Sequence, residues 1–148
     1  DVRGAGAGGV VSNADFKRNF SALLKRVGDR AEMVVRGTAL GIGGSVAEKS
    51  PVDTGRFKNN WMTALDSIDA SANARADASG ASSRASLTAQ VAAWKPGQTI
   101  FITNSLPYAY RLEYDGWSRQ APAGMVRVTV AEFAQRFERA VRAAKGAR

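Results

Sequence analysis

The sequence contains no cysteine and no histidine. That excludes disulfides, thiolate or imidazole metal ligands, cysteine nucleophiles and any Ser-His-Asp arrangement. It rules out a disulfide-stapled secreted scaffold, although it fixes no compartment. Catalysis would have to rest on carboxylates, lysines or tyrosines, so an enzyme is not expected, nor is a metal or cofactor. Long hydrophobic runs are also missing. None approaches the ~20 residues that span a bilayer, and no charged-then-apolar leader opens the chain. The chain reads as soluble, with no membrane partner. It begins at Asp1 rather than methionine, as expected where an upstream segment has been trimmed. Acidic residues are scarce, 13 against 21 Lys and Arg, for a net charge of +8. A chain this basic is drawn to polyanions, whether nucleic acid, anionic lipid or an acidic protein surface; the plainer account is solubility.

What remains is one domain's worth of chain, 148 residues of which 45% are hydrophobic, enough for a single core with irregular periphery. Residues 1–12, opening on "DVRGAGAGGVV", are small and glycine-rich and read as a flexible arm. Ser12 can cap a helix, with Asp15 three residues on. Phe16, Phe20, Leu23, Leu24, Val27, Ala31, Val34, Val35, Thr38, Ile42 and Val46 then recur at steps of three and four. They predict one apolar stripe on a helix over roughly 13–48. Gly28, Gly37, Gly41, Gly43 and Gly44 each cost that helix on the order of 1 kcal/mol against alanine. Such a cluster implies a kink or the close approach of another backbone. Ser50-Pro51 ends the helix, because proline disfavours helical geometry at the residue before it.

Beyond the turn, "FKNNWMTALDSI" supplies a strand with Trp61 as its anchor. The Ala/Ser-rich stretch at about 69–84 has little to bury and reads as a long loop. "SLTAQVAAW" makes a short helix, closed by Lys95-Pro96-Gly97, and "QTIFITN" is the best strand in the chain. A helical turn is expected around Tyr108 to Glu113. At the end, Val126, Val130, Phe133, Phe137 and Val141 keep helical spacing, and Pro122 favours a helix starting there, over about 123–144. The order predicts one α+β domain over 13–148: a long N-terminal helix and a C-terminal helix packed on a small antiparallel sheet, with long loops.

Three constellations could carry function. In Pro51, Val52, Asp53, Thr54, Gly55 and Arg56, the carboxylate could be a general base and the guanidinium an anion clamp. The stretch is instead expected to be a corner, a structural turn motif anchored by Trp61: Asp53 bonding local N–H groups, Thr54 supporting the bend, Gly55 supplying a positive φ, Arg56 pairing with a carboxylate. The second is "LPYAYRLEYDGWSRQAPAG". Its Tyr108, Tyr110, Tyr114 and Trp117, beside Arg111 and Arg119, suit core packing, a protein interface or a stacking platform for single-stranded nucleic acid. Glu113 and Asp115 make a poor metal site. The third is a basic stripe, Arg136, Arg139, Arg142, Lys145 and Arg148, spaced three apart on the last helix. The helix C-terminus accounts for some of that charge. A phosphate track or an acidic neighbouring subunit accounts for the rest.

The first two blocks together resemble a family of tailed-phage morphogenesis proteins, tail-component or tail-completion proteins of the head–tail joint akin to the minor tail protein Z of phage lambda. The resemblance falls on Pro51 to Arg56, Trp61, Asn104, Pro107 to Ala109, Glu113, Gly116, Ser118, Gln120 to Pro122 and Gly124. It covers about a third of the chain, with Asp115 and the Ala/Ser-rich middle as departures. It implies a non-enzymatic virion protein of the neck, assembled in the host cytoplasm as a homomeric, sixfold ring. Its expected partners are a head-closure or stopper protein and a tail-terminator or tail-tube protein. DNA passing through the lumen is a further one, given the charge. A tail terminator capping the tube is the alternative in the same class, and a basic nucleic-acid-binding module the alternative from another. Asn104, Pro107, Tyr108, Tyr110, Glu113, Tyr114, Trp117, Ser118, Gln120 and Pro122 are the interface candidates.

Overall fold

Ser12 opens the first helix as expected. Its hydroxyl accepts from the Asp15 backbone N–H at 3.1 Å and donates to the Asp15 carboxylate at 2.7 Å. The structure, a computed structural model, describes residues 12–146. The expected arm over 1–12 therefore lies outside the described residues apart from Ser12, and so does Arg148. Helix α1 runs unbroken over Asn13–Glu48, 36 residues, or ~54 Å at 1.5 Å per residue. Lys49 closes its last turn, and the Ser50 hydroxyl donates to the Val46 carbonyl at 2.6 Å just ahead of Pro51.

A 3-10 turn over Lys58–Asn60 leads into β1, Met62–Leu65, followed by α2, Ala81–Ala93, and β2, Ile100–Thr103. Helices α3, Ala109–Tyr114, α4, Val126–Ala131, and α5, Phe133–Gly146, complete the chain. The strands pair antiparallel, with Met62 opposite Thr103 and Leu65 opposite Ile100. The α+β architecture is thus as expected: a long N-terminal helix, a C-terminal helix and a small two-stranded antiparallel sheet. Helix α2 lies against β1 and α1, while α5 lies along α1. Among the described residues no helix is long and apolar enough to cross a membrane.

The late glycines of α1 serve close approach. A Cβ on Gly37 would meet the Ala140 Cβ of α5 at 3.4 Å, and one on Gly43 would overlap the Leu87 side chain of α2 at 2.5 Å. Around the C-terminal end of α1 the main core gathers Val46, Phe57, Trp61, Leu106, Leu112 and Met125, and a smaller one joins Ala39 to Leu87 and Val91.

Three element boundaries differ from the sequence expectation. The Ala/Ser-rich loop does not reach 84, because residues 81–84 form the first turn of α2, and Ser83 is buried. That stretch is tied down by polar groups. Asn60 and Asn59 are fully buried. The Asn60 side chain accepts from Asn73 N–H at 2.8 Å and donates to the Arg56 and Asn73 carbonyls; the Asn59 side chain accepts from Ser82 N–H at 2.8 Å. The strand over "FKNNWMTALDSI" begins only at Met62, since this network holds residues 58–60 in a turn. The C-terminal helix is two helices, starting at Val126 rather than 123 and broken at Glu132. The β-branched run Val126, Val128, Thr129 and Val130 propagates a helix poorly. At the break, Glu132 accepts from Lys49 Nζ at 3.1 Å.

Candidate functional site

The chain leaves α1 at Pro51 and turns back at Gly55, whose φ is +88°. A Cβ there would lie 2.2 Å from the Ala78 nitrogen and 2.3 Å from the Asp77 carbonyl carbon, so two backbones touch at this point. Thr54 Oγ1 accepts from the Arg56 N–H at 3.2 Å, supporting the bend. Trp61 anchors the segment leading into β1. Its ring is buried edge-on to Phe57 at 5.8 Å, and its Nε1 donates to the Ser50 hydroxyl at 2.7 Å.

The second sequence block closes over this corner. The Gln120 side-chain amide pairs with both backbone groups of Val52: Oε1 accepts from its N–H at 2.9 Å, and Nε2 donates to its carbonyl at 3.0 Å. Between the two blocks lies a cleft of about 670 Å3, lined by Pro51 to Phe57 on one side and by Tyr108, Leu112 and Trp117 to Gln120 on the other. An aromatic series runs into it from the core, Phe57 to Tyr108 at 5.9 Å and Tyr108 to Trp117 at 6.5 Å. The Arg111 guanidinium lies 5.7 Å from the Trp117 ring centre.

Asp53 and Arg56 do not hold the corner. Both are exposed, and among the described residues neither side chain has a hydrogen bond or an ion pair. The expectation that they tie the bend to its surroundings is therefore corrected. Gly55, Gln120 and Ser50 hold it instead through backbone and amide geometry, leaving a free carboxylate and a free guanidinium at the cleft. Asp53→Asn and Arg56→Gln are accordingly expected to change unfolding free energy by less than ~0.5 kcal/mol in thermal denaturation. A larger loss would return them to the corner.

Glu113 belongs to the interior. It is only 6% exposed, and it caps α4. Its Oε2 accepts from Met125 and Val126 N–H at 2.7 and 3.0 Å, and its Oε1 from Arg127 N–H at 2.8 Å. Burial pushes its pKa up, but these three N–H groups and the Arg127 side chain outweigh it and hold the carboxyl below its ordinary value. Gly124, at φ +86°, passes so close that a Cβ would lie 2.6 Å from the Glu113 Oε1. Among the described residues, no group of three or more acids is placed to hold a metal.

The chain matches no family model, no curated protein and no solved structure.

The remaining interface candidates divide by position. Asn104 is a clamp: its Nδ2 donates to the Phe57 carbonyl at 2.9 Å, and its Oδ1 accepts from Leu106 N–H at 3.2 Å. Ser118 Oγ accepts from Gln120 N–H at 3.2 Å and so shapes the loop that carries Gln120. Pro107 and Pro122 are exposed, as are Tyr110, Tyr114 and Trp117. Tyr110 and Tyr114 pair at 4.9 Å, with the Arg127 guanidinium 5.1 Å from the Tyr114 ring centre. Of the basic stripe, Arg139, Arg142 and Lys145 are exposed, and Arg142 reaches Glu138 at 3.8 Å. It stands away from the cleft, since Ala140 faces Gly37, ~20 Å up α1 from Pro51 at 1.5 Å per residue.

Residues that sequence reasoning passed over include Asn59, Asn60 and Arg36. Arg36 donates to the Trp94 carbonyl at 2.6 Å and the Val91 carbonyl at 3.3 Å, satisfying the C-terminal end of α2. The only trace of the asparagine network in the sequence is an Asn-Asn pair set between Phe57 and Trp61.

Proposed function

We propose that this chain is a structural subunit of a tailed-phage neck, acting without catalysis in head–tail joining or tail completion as part of a homomeric ring. The observation that carries this reading is the N-terminal part of α1, which no other described residue covers. Residues 16–31 are exposed throughout. They nevertheless carry Phe16, Phe20, Leu23, Leu24 and Val27, which are 50 to 61% exposed. That leaves on the order of 500 Å2 of apolar surface exposed, in the upper range of a monomer's largest patch, a size that is often functional. The resemblance of the two blocks supplies the kind of assembly. Their meeting at one cleft, with Asp53 and Arg56 unpaired beside it, supplies a polar contact point for a neighbouring ring.

Removing the gene from a phage that encodes this protein is expected to leave filled heads and finished tails that do not join, seen by electron microscopy of the lysate. Normal infectivity without it would end the proposal. Overlong tail tubes would instead make the chain a tail terminator. Asp53→Asn and Arg56→Gln, neutral for folding, are expected to lower the yield of joined particles when supplied in trans.

A further inference from the structure

Helix α1 carries one apolar stripe, and the other described residues cover only part of it. From Val34 to Val46 the stripe is flanked by α5 and α4, where Ala140 packs on Gly37 and Thr129 meets Ser45 at 3.1 Å. Helix α5 is described over Phe133–Gly146, and among the described residues the earlier part of the stripe stands as a ridge made by Phe16, Phe20, Leu23, Leu24 and Val27. Even the covered part is unfinished. Between α1 and α5 an open groove of about 260 Å3 is lined by Val34, Val35, Thr38, Ile42, Phe133 and Phe137. Phe133 and Phe137 remain 44 and 45% exposed on its wall. The Thr38 hydroxyl, although buried, has no hydrogen-bond partner among the described residues. A completed core does not leave a buried hydroxyl unpaired or two phenylalanines half in water.

We propose that the ridge of one copy seats in the α1/α5 groove of the next copy of this chain. The ring-forming function proposed above is assumed here, and the inference adds the junction that builds it. Three observations favour a second copy as occupant. The groove takes apolar knobs, and the ridge offers phenylalanine and leucine at helical spacing. The two lie on the same unbroken helix, with Phe20 and Thr38 ~27 Å apart at 1.5 Å per residue, so the ridge of a chain cannot fill its own groove. Ridge and groove together would bury on the order of 1,000 Å2, the lower bound for a specific interface. Because the two surfaces differ, the contact is heterologous. Each copy gives a ridge and receives one, the arrangement that builds a ring when the rotation between copies closes and an open filament when it does not.

The absence of cysteine makes the test direct. In the full chain, Phe20→Asp breaks the ridge and Phe137→Asp breaks the groove. Val35→Asp reports on the same wall should Phe137→Asp fail to fold, as judged by circular dichroism. Mass is read by light scattering over a concentration series. Wild type is expected to associate, and each variant alone to associate at least ~30-fold more weakly, the effect of losing one interface hot spot. Mixing the two variants is the decisive arm. The mixture retains one intact junction and is expected to stop at a 1:1 heterodimer. A Phe20→Cys, Phe137→Cys double variant should form disulfide-linked multimers on oxidation and no intramolecular link. Wild-type oligomers unaffected by either variant would overturn this junction but leave the ring. A wild type that stays monomeric at every concentration would overturn both the junction and the self-assembling ring. A mixture that stays monomeric while wild type assembles would mean that the two surfaces do not meet.

Discussion

Gly55→Ala should lower the unfolding free energy by on the order of 3 kcal/mol or more, among the largest losses a single substitution can give this chain. Two penalties coincide. At φ +88° an L side chain is strained by its own backbone. Its Cβ would also fall 2.2 Å from the Ala78 nitrogen, and a backbone atom cannot swing aside as a side-chain tip can. Relief requires the 51–57 corner and the Asp77–Ala78 segment to separate. The Asn59–Ser82 and Asn60–Asn73 hydrogen bonds would be disturbed with them. Chemical denaturation should show the midpoint falling with an unchanged slope, and the natural control lies in α1. Gly44 sits mid-helix with nothing within 4 Å of a built Cβ, so Gly44→Ala should stabilise by up to ~1 kcal/mol. Equal effects at the two positions would refute the close approach at Gly55.

The second large effect is at Glu113. Glu113→Ala removes the acceptor for three backbone N–H groups at the start of α4, and should cost ~3 kcal/mol or more, because each buried donor left unpaired carries its own penalty. Glu113→Gln keeps one acceptor oxygen but turns an amide N–H2 toward a donor, so an intermediate loss is expected. The pH dependence separates charge from shape. The folded-state pKa of Glu113 is depressed, so its stabilisation is complete above the ordinary carboxyl value of about 4.5 and disappears as pH falls through the folded pKa. The wild-type melting temperature should therefore decline below about pH 4.5, and Glu113→Gln should lack that part of the decline. Asp69 and Asp77, lowered by hydrogen bonds from Ser71 and Ser79, have the same sign and leave a shallower slope in the variant. A variant curve parallel to wild type would remove Glu113 as the titrating cap.

Several elements were legible because their causes are local. The cap at Ser12, the stop at Pro51 and the three-and-four spacing between them define α1 to its ends. Consecutive β-branched and aromatic residues in "QTIFITN" define β2. The start of α4 was not legible, since Pro122 suits a helix start and the group that sets the start, Glu113, lies 13 residues before Val126. The order in the Ala/Ser-rich middle was hidden for a similar reason. Low apolar content predicts a loop, but two asparagines from another segment pair its backbone groups. The cleft was half legible: both of its blocks stood out in the sequence, whereas their meeting depends on the Gln120 amide bridging 68 residues to Val52.

By itself the sequence determined the absence of disulfides and of thiolate and imidazole chemistry, the long amphipathic helix, the glycine corner and the α+β class, all consequences of composition or of neighbours within a few turns. Only the tertiary structure decided which half of the α1 stripe is covered, that Asp53 and Arg56 remain unpaired, and that Glu113 faces inward as a cap. Periodicity says that a helix has an apolar side but not which part of the chain will lie against it. A charged pair a few residues apart can bond its neighbours or stand free, and the choice falls to the groups that reach it first from elsewhere. Here Gln120 and the Asp77–Ala78 backbone held the corner, and the charges were left to solvent.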